Sequence, residues 1–391
     1  MRILLLSAYD AQSHKYWREG MVAQFPEYDW TQLALPGHHF SWRIRSNSLQ
    51  WALSERATLD QPYDLIIATS MVDFASLKGF VPNLANIPSI LYFHENQFIY
   101  PPSQLTKKPF LDPKLVTLYA ALAADQLVFN SCYNQQTFIT GVRALLKQVP
   151  AKLPVDLAQL FEEKSSVLPV PLRSLNVCDY TGVNGSALWP KRVNKACLRL
   201  VWAARWEYDK GPHLLLAILR QLKQRKVDFK LCILGQVFRK QPLAFDSIKT
   251  EFSSELVQFG FAKSRHQYLS WLAGGDIILS TALHEFQGLA VQEAVQLGCM
   301  PLLPNRLVYP QIFASHYLYD SFPNNHEKES SAAADLIQEF PLWPLKNDSA
   351  LDSVQQLLWP NIKVKYQQLL HFHTLPNSLS NTLSGALPKD S

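Results

Sequence analysis

Residues 276–298 read DIILSTALHEFQGLAVQEAVQLG, and they join a short apolar run to a helical pattern through a polar turn. The run at 276–279 predicts a buried strand, and the pattern that ends near Gly298 predicts a helix. Glu285 then lies in the turn, and Glu293, with seven residues between the two, lies in the helix. Open α/β sheets bind ligands at such junctions. The pair therefore indicates either a ligand site or two solvated glutamates beside a helix start.

The same alternation of strand and helix signals runs through most of the chain. Helical patterns such as those at 14–25, 115–124, 212–226 and 265–273 separate apolar runs, which predicts parallel sheets covered by helices on both faces. The expected strands lie at residues 2–7, 65–68, 90–93, 126–129, 198–203, 229–234, 257–259, 276–279 and 300–303.

The chain of 391 residues is long enough for two domains. Residues 179–194 contain Gly182, Gly185 and Pro190 and read as a linker, and the helical pattern near the C-terminus is broken at Trp359-Pro360. The predicted organisation is a first domain at 1–175, a linker at 176–196, a second domain at 197–350, a C-terminal helix at 351–374 that crosses back to the first domain, and a disordered tail at 375–391.

Composition narrows the class of protein. The chain is 48% hydrophobic and 18% charged, as in a globular enzyme, and no apolar run reaches the length of a membrane helix. The apolar start is too short for a signal peptide, because Asp10 follows it closely. Five cysteines without a paired C-x-x-C spacing indicate a reducing compartment, the cytoplasm, and no zinc site. The first strand is not followed by G-x-G-x-x-G, which disfavours a nicotinamide dehydrogenase.

Positive charge is concentrated in the second half. Residues 1–172 hold 14 basic and 14 acidic residues, whereas residues 191–265 hold 16 basic and 6 acidic ones. Such an excess suits a phosphate-bearing ligand, including a nucleic-acid backbone. A solvated helix face explains it equally well, since Lys223 and Arg225 lie near the predicted end of a helix.

A second motif follows the first strand of the second domain. Arg205 lies just past that strand and Lys210 comes five residues later, before Gly211-Pro212 opens a helix. These two cations could clamp two phosphates and offset charge on a departing diphosphate. The alternative is a set of salt bridges among Arg205, Glu207, Asp209 and Lys210.

The first domain supplies polar residues after its own strand ends. His94, Glu95 and Asn96 follow the strand at 90–93 and are candidates for contacting a sugar or the acceptor, and His94 for assisting proton transfer. The alternative is a structural turn in which Asn96 caps and Glu95 is solvated. Ser13 lies where the first strand passes into a helix and is expected to be its N-cap.

Aromatic and basic residues interleave in the first domain. The interleaved side chains at Trp42, Arg43 and Arg45 suit stacking on a nucleobase beside a phosphate, although an ordinary exposed helix or strand would show the same pattern.

The two glutamates, with Arg205 lying 80 positions before Glu285, resemble the signature of the retaining glycosyltransferases of family 4. The resemblance implies a GT-B fold, in which two Rossmann-like domains with parallel sheets face each other across a cleft. It also implies a nucleotide sugar on the second domain, with Arg205 and Lys210 at its diphosphate and Glu293 at its ribose. Glu285 and the backbone of Phe286, Gln287, Gly288 and Leu289 would then hold sugar hydroxyls, and Ser13 would contribute to the donor site. Because Arg205, Lys210 and a helix start supply positive charge and no Asp-x-Asp appears, we expect catalysis without a metal or other cofactor.

The runs at 92–101, 42–45 and 280–293, with Ser13-His14 and residues 308–310, resemble one branch of that family, the tRNA-queuosine mannosyltransferases. That resemblance implies transfer of mannose from GDP-mannose to queuosine in the anticodon of an aspartate tRNA, with no membrane partner. The chain departs from the family at residues 10–12, where a glycine-rich loop is replaced. Other readings are a transferase acting on a lipid or polysaccharide, a tRNA-binding protein with a vestigial site, and a sugar-nucleotide epimerase.

Overall fold

The computed structural model describes residues 1–99, 111–148, 153–181, 188–192, 194, 196–237, 241–340 and 348–372, and the predicted tail at 375–391 lies outside them. The first sheet contains the strands β1 (Arg2–Asp10), β2 (Asp29–Pro36), β3 (Leu65–Thr69), β4 (Ser89–Phe93), β5 (Gln126–Phe129) and β6 (Ser165–Val167). Their order is β2-β1-β3-β4-β5-β6, and every pairing is parallel.

Helices cover both faces of this sheet, so its central strands are mostly apolar. Every residue of β3 and of β4 is buried. In β1, Leu4 and Leu6 join the core on one face, and Ile3 and Leu5 join the core on the other. The helices are α1 (Gln12–Gln24), α2 (Phe40–Ser54), α3 (Arg56–Leu59), α4 (Phe74–Phe80), α5 (Leu111–Ala123), α6 (Cys132–Leu146) and α7 (Leu157–Glu163).

The second half repeats the arrangement. Its strands are β7 (Leu198–Ala203), β8 (Phe229–Leu234), β9 (Leu256–Gly260), β10 (Ile277–Leu279), β11 (Met300–Pro304) and β12 (Leu318–Tyr319), in the parallel order β12-β11-β10-β7-β8-β9. The helices around this sheet are α8 (Pro212–Gln224), α9 (Ala244–Glu251), α10 (Arg265–Ala273), α11 (Leu289–Gln296), α12 (Tyr309–Ile312) and α13 (His326–Glu339).

The last two helices, α14 (Asp348–Gln355) and α15 (Trp359–Leu370), are separated at the predicted break, with Pro360 in the first turn of α15. Helix α15 packs on the first sheet, where Trp359 and Tyr366 share a core with Trp17. The Tyr366 hydroxyl accepts a hydrogen bond from Trp17 Nε1 (3.1 Å) and donates one to the carbonyl of Pro169 (3.0 Å). This helix therefore ties the C-terminal end of the described chain to the first sheet.

All nine strands expected from apolar runs are present, and the described residues contain three further strands that were not predicted. The missed strands are β2, β6 and β12, which are short or partly exposed, and all three lie at sheet edges. An edge strand buries few side chains, so it lacks an uninterrupted apolar run. In the part of the chain that the structure describes, no helix is long and apolar enough to cross a membrane.

Candidate functional site

The two predicted motifs of the second domain meet because their strands are neighbours. Strand β7 leads into the Arg205–Lys210 turn, β10 leads into the Glu285 turn, and the two strands pair directly. The carbonyl of Asp209 accepts the N–H of Leu283 (2.8 Å), and the carbonyl of Lys210 accepts the Thr281 hydroxyl (2.8 Å). Both turns leave the carboxyl end of the sheet, where open α/β folds bind ligands.

Gly211 permits this close approach. It has a positive φ of 66°, and a Cβ at this position would lie 1.9 Å from the carbonyl oxygen of Thr281. Any side chain there would push the two turns apart. The Lys-Gly pair thus has a structural reason in addition to the charge of the lysine.

Glu285 organises its own turn. Its Oε1 accepts the backbone N–H groups of Phe286 (3.0 Å) and Gly288 (3.1 Å), and its Oε2 lies 3.3 Å from Lys210 Nζ. Gly288, with φ of 77°, is the N-cap of α11. Burial opposes ionisation of Glu285, but Lys210 and the backbone N–H groups of Gln287 and Gly288 outweigh it, so the pKa of this carboxyl lies below its ordinary value. Glu285 is therefore an ionised part of the turn.

The cations of the Arg205–Lys210 motif are ion-paired, as the salt-bridge alternative predicted. Arg205 pairs with Glu207 and lies 3.7 Å from Asp209, and Lys210 lies 3.4 Å from Asp209. Burial opposes the charge on Lys210, but Glu285 and Asp209 outweigh it and raise the pKa of the ammonium group. Both side chains are thus charged and held at the cleft, and the phosphate-clamp role stays a prediction.

Glu293 lies in a different environment from Glu285. It is 7% exposed on α11 and forms an ion pair with Arg265, the first residue of α10. Burial opposes the charge on Arg265, but Glu293 outweighs it and raises the pKa of the guanidinium. Sequence reasoning missed Arg265, because no local pattern connects it with a glutamate 28 positions away. Each glutamate therefore has its own cation.

Other residues of the predicted donor set point inward. The Gln287 side chain is buried and bonds to both the N–H and the C=O of Val170, at 2.8 Å each. Phe286 is buried against Tyr133 and His284. The side chains of Gln287 and Phe286 therefore hold the turn, and Leu289 is simply the first residue of α11.

In the first domain, His94 and Glu95 lie in different environments. His94 is buried, and its ring lies 4.2 Å from that of His14; burial and then His14 hold the pKa of His94 well below its usual range. Burial raises the pKa of Glu95, and Arg205 and Lys210 oppose the shift. Glu95 is half-buried, and its contact with a sugar or an acceptor stays a prediction.

Asn96 is occupied inside the first domain. It is 1% exposed; its amide donates to Asn134 Oδ1 (2.9 Å) and Thr137 Oγ1 (3.0 Å), and its Oδ1 accepts the N–H of Phe98 (3.0 Å). These bonds hold the buried side chain inside the first domain, and a contact of Asn96 with the acceptor stays a prediction.

The expectation for Ser13 as an N-cap is also wrong. Ala11 is the N-cap of α1, and Ser13 is exposed inside the helix. Residues 10–12 carry the chain directly from β1 into α1, so the helix begins two residues earlier than a Ser13 cap would require. A donor contact by Ser13 stays a prediction.

The aromatic and basic residues of the first domain lie in the first turns of α2. Trp42 is 70% exposed, Arg43 bonds to Gln50 (2.7 Å), and Arg45 lies 3.6 Å from Asp73. Trp42 thus presents a free ring face, as base stacking would require. Contacts of these three residues with an acceptor stay predictions.

Part of the basic excess at residues 191–265 is ion-paired. Lys223 lies 3.9 Å from Glu255, and Arg225 bonds to Asp335 (2.5 Å). A phosphate-bearing ligand for this segment stays a prediction. Among the described residues no group of three or more His, Cys, Asp and Glu could hold a metal ion, and metal-independent catalysis stays a prediction.

Comparison with solved structures identifies the fold. The chain is similar to sucrose-phosphate synthase of Thermosynechococcus elongatus, with a TM-score of 0.70 and 12% identity over 96% of this chain and 100% of that one. It is likewise similar to Anabaena HepE in complex with UDP and glucose, with a TM-score of 0.66 and 12% identity over 95% and 100%. The two Rossmann-like domains therefore have the GT-B fold, as predicted.

Comparison with known sequences identifies the family. Residues 2–172 match the model "tRNA-queuosine alpha-mannosyltransferase N-terminal", and residues 191–340 match "Glycosyl transferases group 1". A GDP-mannose:cellobiosyl-diphosphopolyprenol alpha-mannosyltransferase of Xanthomonas oryzae is 22% identical over 72% of this chain and 73% of that protein. A tRNA-queuosine alpha-mannosyltransferase of Drosophila melanogaster is 34% identical over 82% and 83%. The chain is therefore a glycosyltransferase and belongs to the tRNA-queuosine alpha-mannosyltransferase family.

Proposed function

We propose that this chain transfers mannose from GDP-mannose to queuosine in the anticodon of an aspartate tRNA, with retention of configuration. The observation that supports this acceptor most is the 34% identity to the Drosophila enzyme, together with a queuosine-specific family match over residues 2–172. That match covers the first domain, where Trp42 offers an exposed ring for a base. A GDP-mannose donor is in keeping with the name of the Xanthomonas relative.

The donor would lie on the second domain, with its diphosphate at Arg205 and Lys210. Lys210 is 12% exposed at its side chain and is fixed by Asp209 and Glu285, whereas Arg205 is 46% exposed and pairs with Glu207. The diphosphate would displace Glu207 from Arg205 and accept a bidentate contact in its place. Neutralising the leaving diphosphate is then the main catalytic contribution of the two cations.

The two glutamates would act at opposite ends of the donor. Glu293, held by Arg265, would accept hydrogen bonds from the ribose hydroxyls. Glu285 would keep the turn before α11 in shape, so that the turn can face the sugar as positive charge grows on it. The acceptor hydroxyl would attack the anomeric carbon on the face that the diphosphate leaves, and its proton would pass to the leaving phosphate oxygen.

Nucleoside mass analysis tests this function. The purified protein is incubated with queuosine-containing tRNA and a panel of nucleotide sugars, and the digested nucleosides are weighed. A hexose added to queuosine with GDP-mannose alone is the expected result. Transfer to tRNA that lacks queuosine, or transfer to no tRNA at all, contradicts the proposal.

The same panel separates the alternatives. Hexose transfer to a polyprenol-linked sugar, and not to tRNA, would indicate the acceptor class named for the Xanthomonas relative. Consumption of the donor without any acceptor would indicate an epimerase. Tight binding of tRNA without turnover would indicate a vestigial site.

A further inference from the structure

The side-chain amide of Gln287 joins the second domain to the first. Its Oε1 accepts the N–H of Val170 and its Nε2 donates to the C=O of Val170, at 2.8 Å each. Val170 is 1% exposed, and its side chain belongs to the core of the first sheet, together with Trp17 and Tyr366. Gln287 therefore satisfies both hydrogen-bonding groups of a buried stretch of backbone in the first domain.

The main chain of Gln287 is bound on the side of Glu285. Its N–H donates to Glu285 Oε1 (3.4 Å), and its C=O accepts from the side-chain amide of Gln292 (3.0 Å). The Oε1 of the buried Gln292 accepts in turn from Gln287 Nε2 (3.2 Å). Every polar group of Gln287 thus has a partner, and a continuous series of hydrogen bonds runs from Val170 in the first domain to the Glu285 carboxylate.

The residues on either side of Gln287 also contact the first domain, but through apolar surface. The ring centroid of Phe286 lies 5.9 Å from that of Tyr133 at the start of α6, and Leu289 packs against the core of the first sheet. Apolar contacts are not directional, whereas two hydrogen bonds to one residue define both a distance and an orientation. Gln287 therefore makes the contact that fixes where the Glu285 turn lies relative to the first domain.

A transferase with its two substrates on different domains needs the reacting atoms at a fixed separation. In the proposed function the sugar faces the Glu285 turn and the acceptor lies against the first domain, so a shift of the turn changes that separation. A displacement of about 1 Å can cost about 10²-fold in rate. We propose that Gln287 is a positioning residue that sets the Glu285 turn at the correct distance from the acceptor. The inference rests on the proposed function for where the two substrates bind, and it does not depend on which acceptor is used.

The test compares Gln287→Met with Gln296→Met. Methionine keeps the length of the side chain but removes the amide. Gln296 is the matched control, because its Oε1 also accepts a backbone N–H from the chain that follows β6, that of Leu175 (3.2 Å), but it lies at the last position of α11, away from the turn. Well below both melting temperatures, Gln287→Met should lower kcat about 10- to 100-fold. Its affinity for GDP-mannose, measured by calorimetry, should stay near that of the wild type, and Gln296→Met should keep its kcat.

Three results would overturn the inference. They are a normal kcat in folded Gln287→Met, an equal loss of kcat in Gln296→Met, and a loss of donor affinity as large as the loss of kcat. Gln287→Asn is the second variant, because it keeps the amide on a side chain that is shorter by one methylene and can bond to Val170 only if the turn moves. Its kcat should also fall, and a normal kcat contradicts the proposal. If neither variant folds, the role of Gln287 is structural and the inference fails.

A failure of the proposed function is distinguishable from a failure of this inference. If the wild type does not modify queuosine-containing tRNA, the proposed function fails, and the variants are compared on the acceptor that the wild type does use. Hydrogen exchange followed by mass spectrometry serves where no acceptor is found. The N–H groups of Phe286 and Gly288, which bond to Glu285, should lose protection in Gln287→Met and keep it in Gln296→Met. Unchanged protection in Gln287→Met, or an equal loss in both variants, overturns the inference.

Discussion

The buried histidine of α1 should make stability depend on pH in a defined window. The pKa of His14 is lowered from 6.5 to about 4 in the folded protein, chiefly by burial. Below about pH 6.5 the unfolded chain therefore takes up a proton at this residue that the folded protein does not bind until about pH 4. Above about pH 6.5 His14 is neutral in both states and does not make stability depend on pH. As the pH drops from about 6.5 to about 4, the free energy of unfolding falls.

The magnitude follows from the size of the shift. A shift of one unit is worth about 1.4 kcal/mol, so His14 should cost the folded state about 3 kcal/mol across the whole window. The perturbation is His14→Phe, which cannot take up the proton in either state. Apart from His94, whose pKa His14 helps to lower in the folded protein, the other titrating groups are common to both proteins, so their effects largely cancel in the comparison.

The assay is urea unfolding of both proteins at pH 7 and at pH 4.5, followed by tryptophan fluorescence. Between the two values the wild type should lose about 2–3 kcal/mol more of its unfolding free energy than His14→Phe does. Equal losses in the two proteins would falsify the argument that His14 is buried in its neutral form. A larger loss in the variant would mean that the residue is protonated and paired in the folded state.

Glu293→Gln should chiefly weaken donor affinity, about 10- to 150-fold, because it removes a charged acceptor at the ribose; calorimetry checks this, and a loss of rate alone contradicts it. Glu285→Gln should depress kcat more than donor affinity, since the turn it holds acts on the reacting sugar, and a pure affinity loss reverses the assignment. Arg205→Ala and Lys210→Ala should each reduce turnover by about 10²- to 10³-fold. Near-normal turnover in either variant would show that the replaced residue does not stabilise the leaving diphosphate. Glu207→Gln should strengthen binding of GDP-mannose, because it removes the carboxylate that competes with the diphosphate for Arg205. Weaker binding would contradict the proposal that the diphosphate displaces Glu207. Activity should survive chelators, and a need for added divalent metal would contradict the metal-free mechanism.

Local patterns were sufficient for much of the fold. The central strands β3 and β4 are covered by helices on both faces, so their sequences are continuous apolar runs that can be read without a structure. The break at Trp359-Pro360 was equally visible, because proline cannot continue a helix. Edge strands such as β2 were not predicted, because a partly exposed strand has no continuous apolar run.

Short-range geometry also limited the reading of individual side chains. Asn96 looked like an acceptor contact because it follows a strand end, where ligands bind in this kind of fold, and Gln287 was expected to contribute its backbone to the sugar site. Their side-chain amide groups bond to Asn134 and Val170, which lie 38 and 117 positions away. The residues next to Asn96 and Gln287 in the sequence do not indicate these partners.

The sequence by itself determined the two α/β halves, the family resemblance and the charged motifs, because each depends on residues that are close together or on a spacing that can be counted. Only the tertiary structure decided which charges meet. Lys210 reaches Glu285 because β7 and β10 are neighbours in the sheet, and Arg265 reaches Glu293 because α10 and α11 pack together. The same holds for the ring contact between His14 and His94. Such pairs arise from the order of strands and the packing of helices, which bring together residues that no local pattern connects.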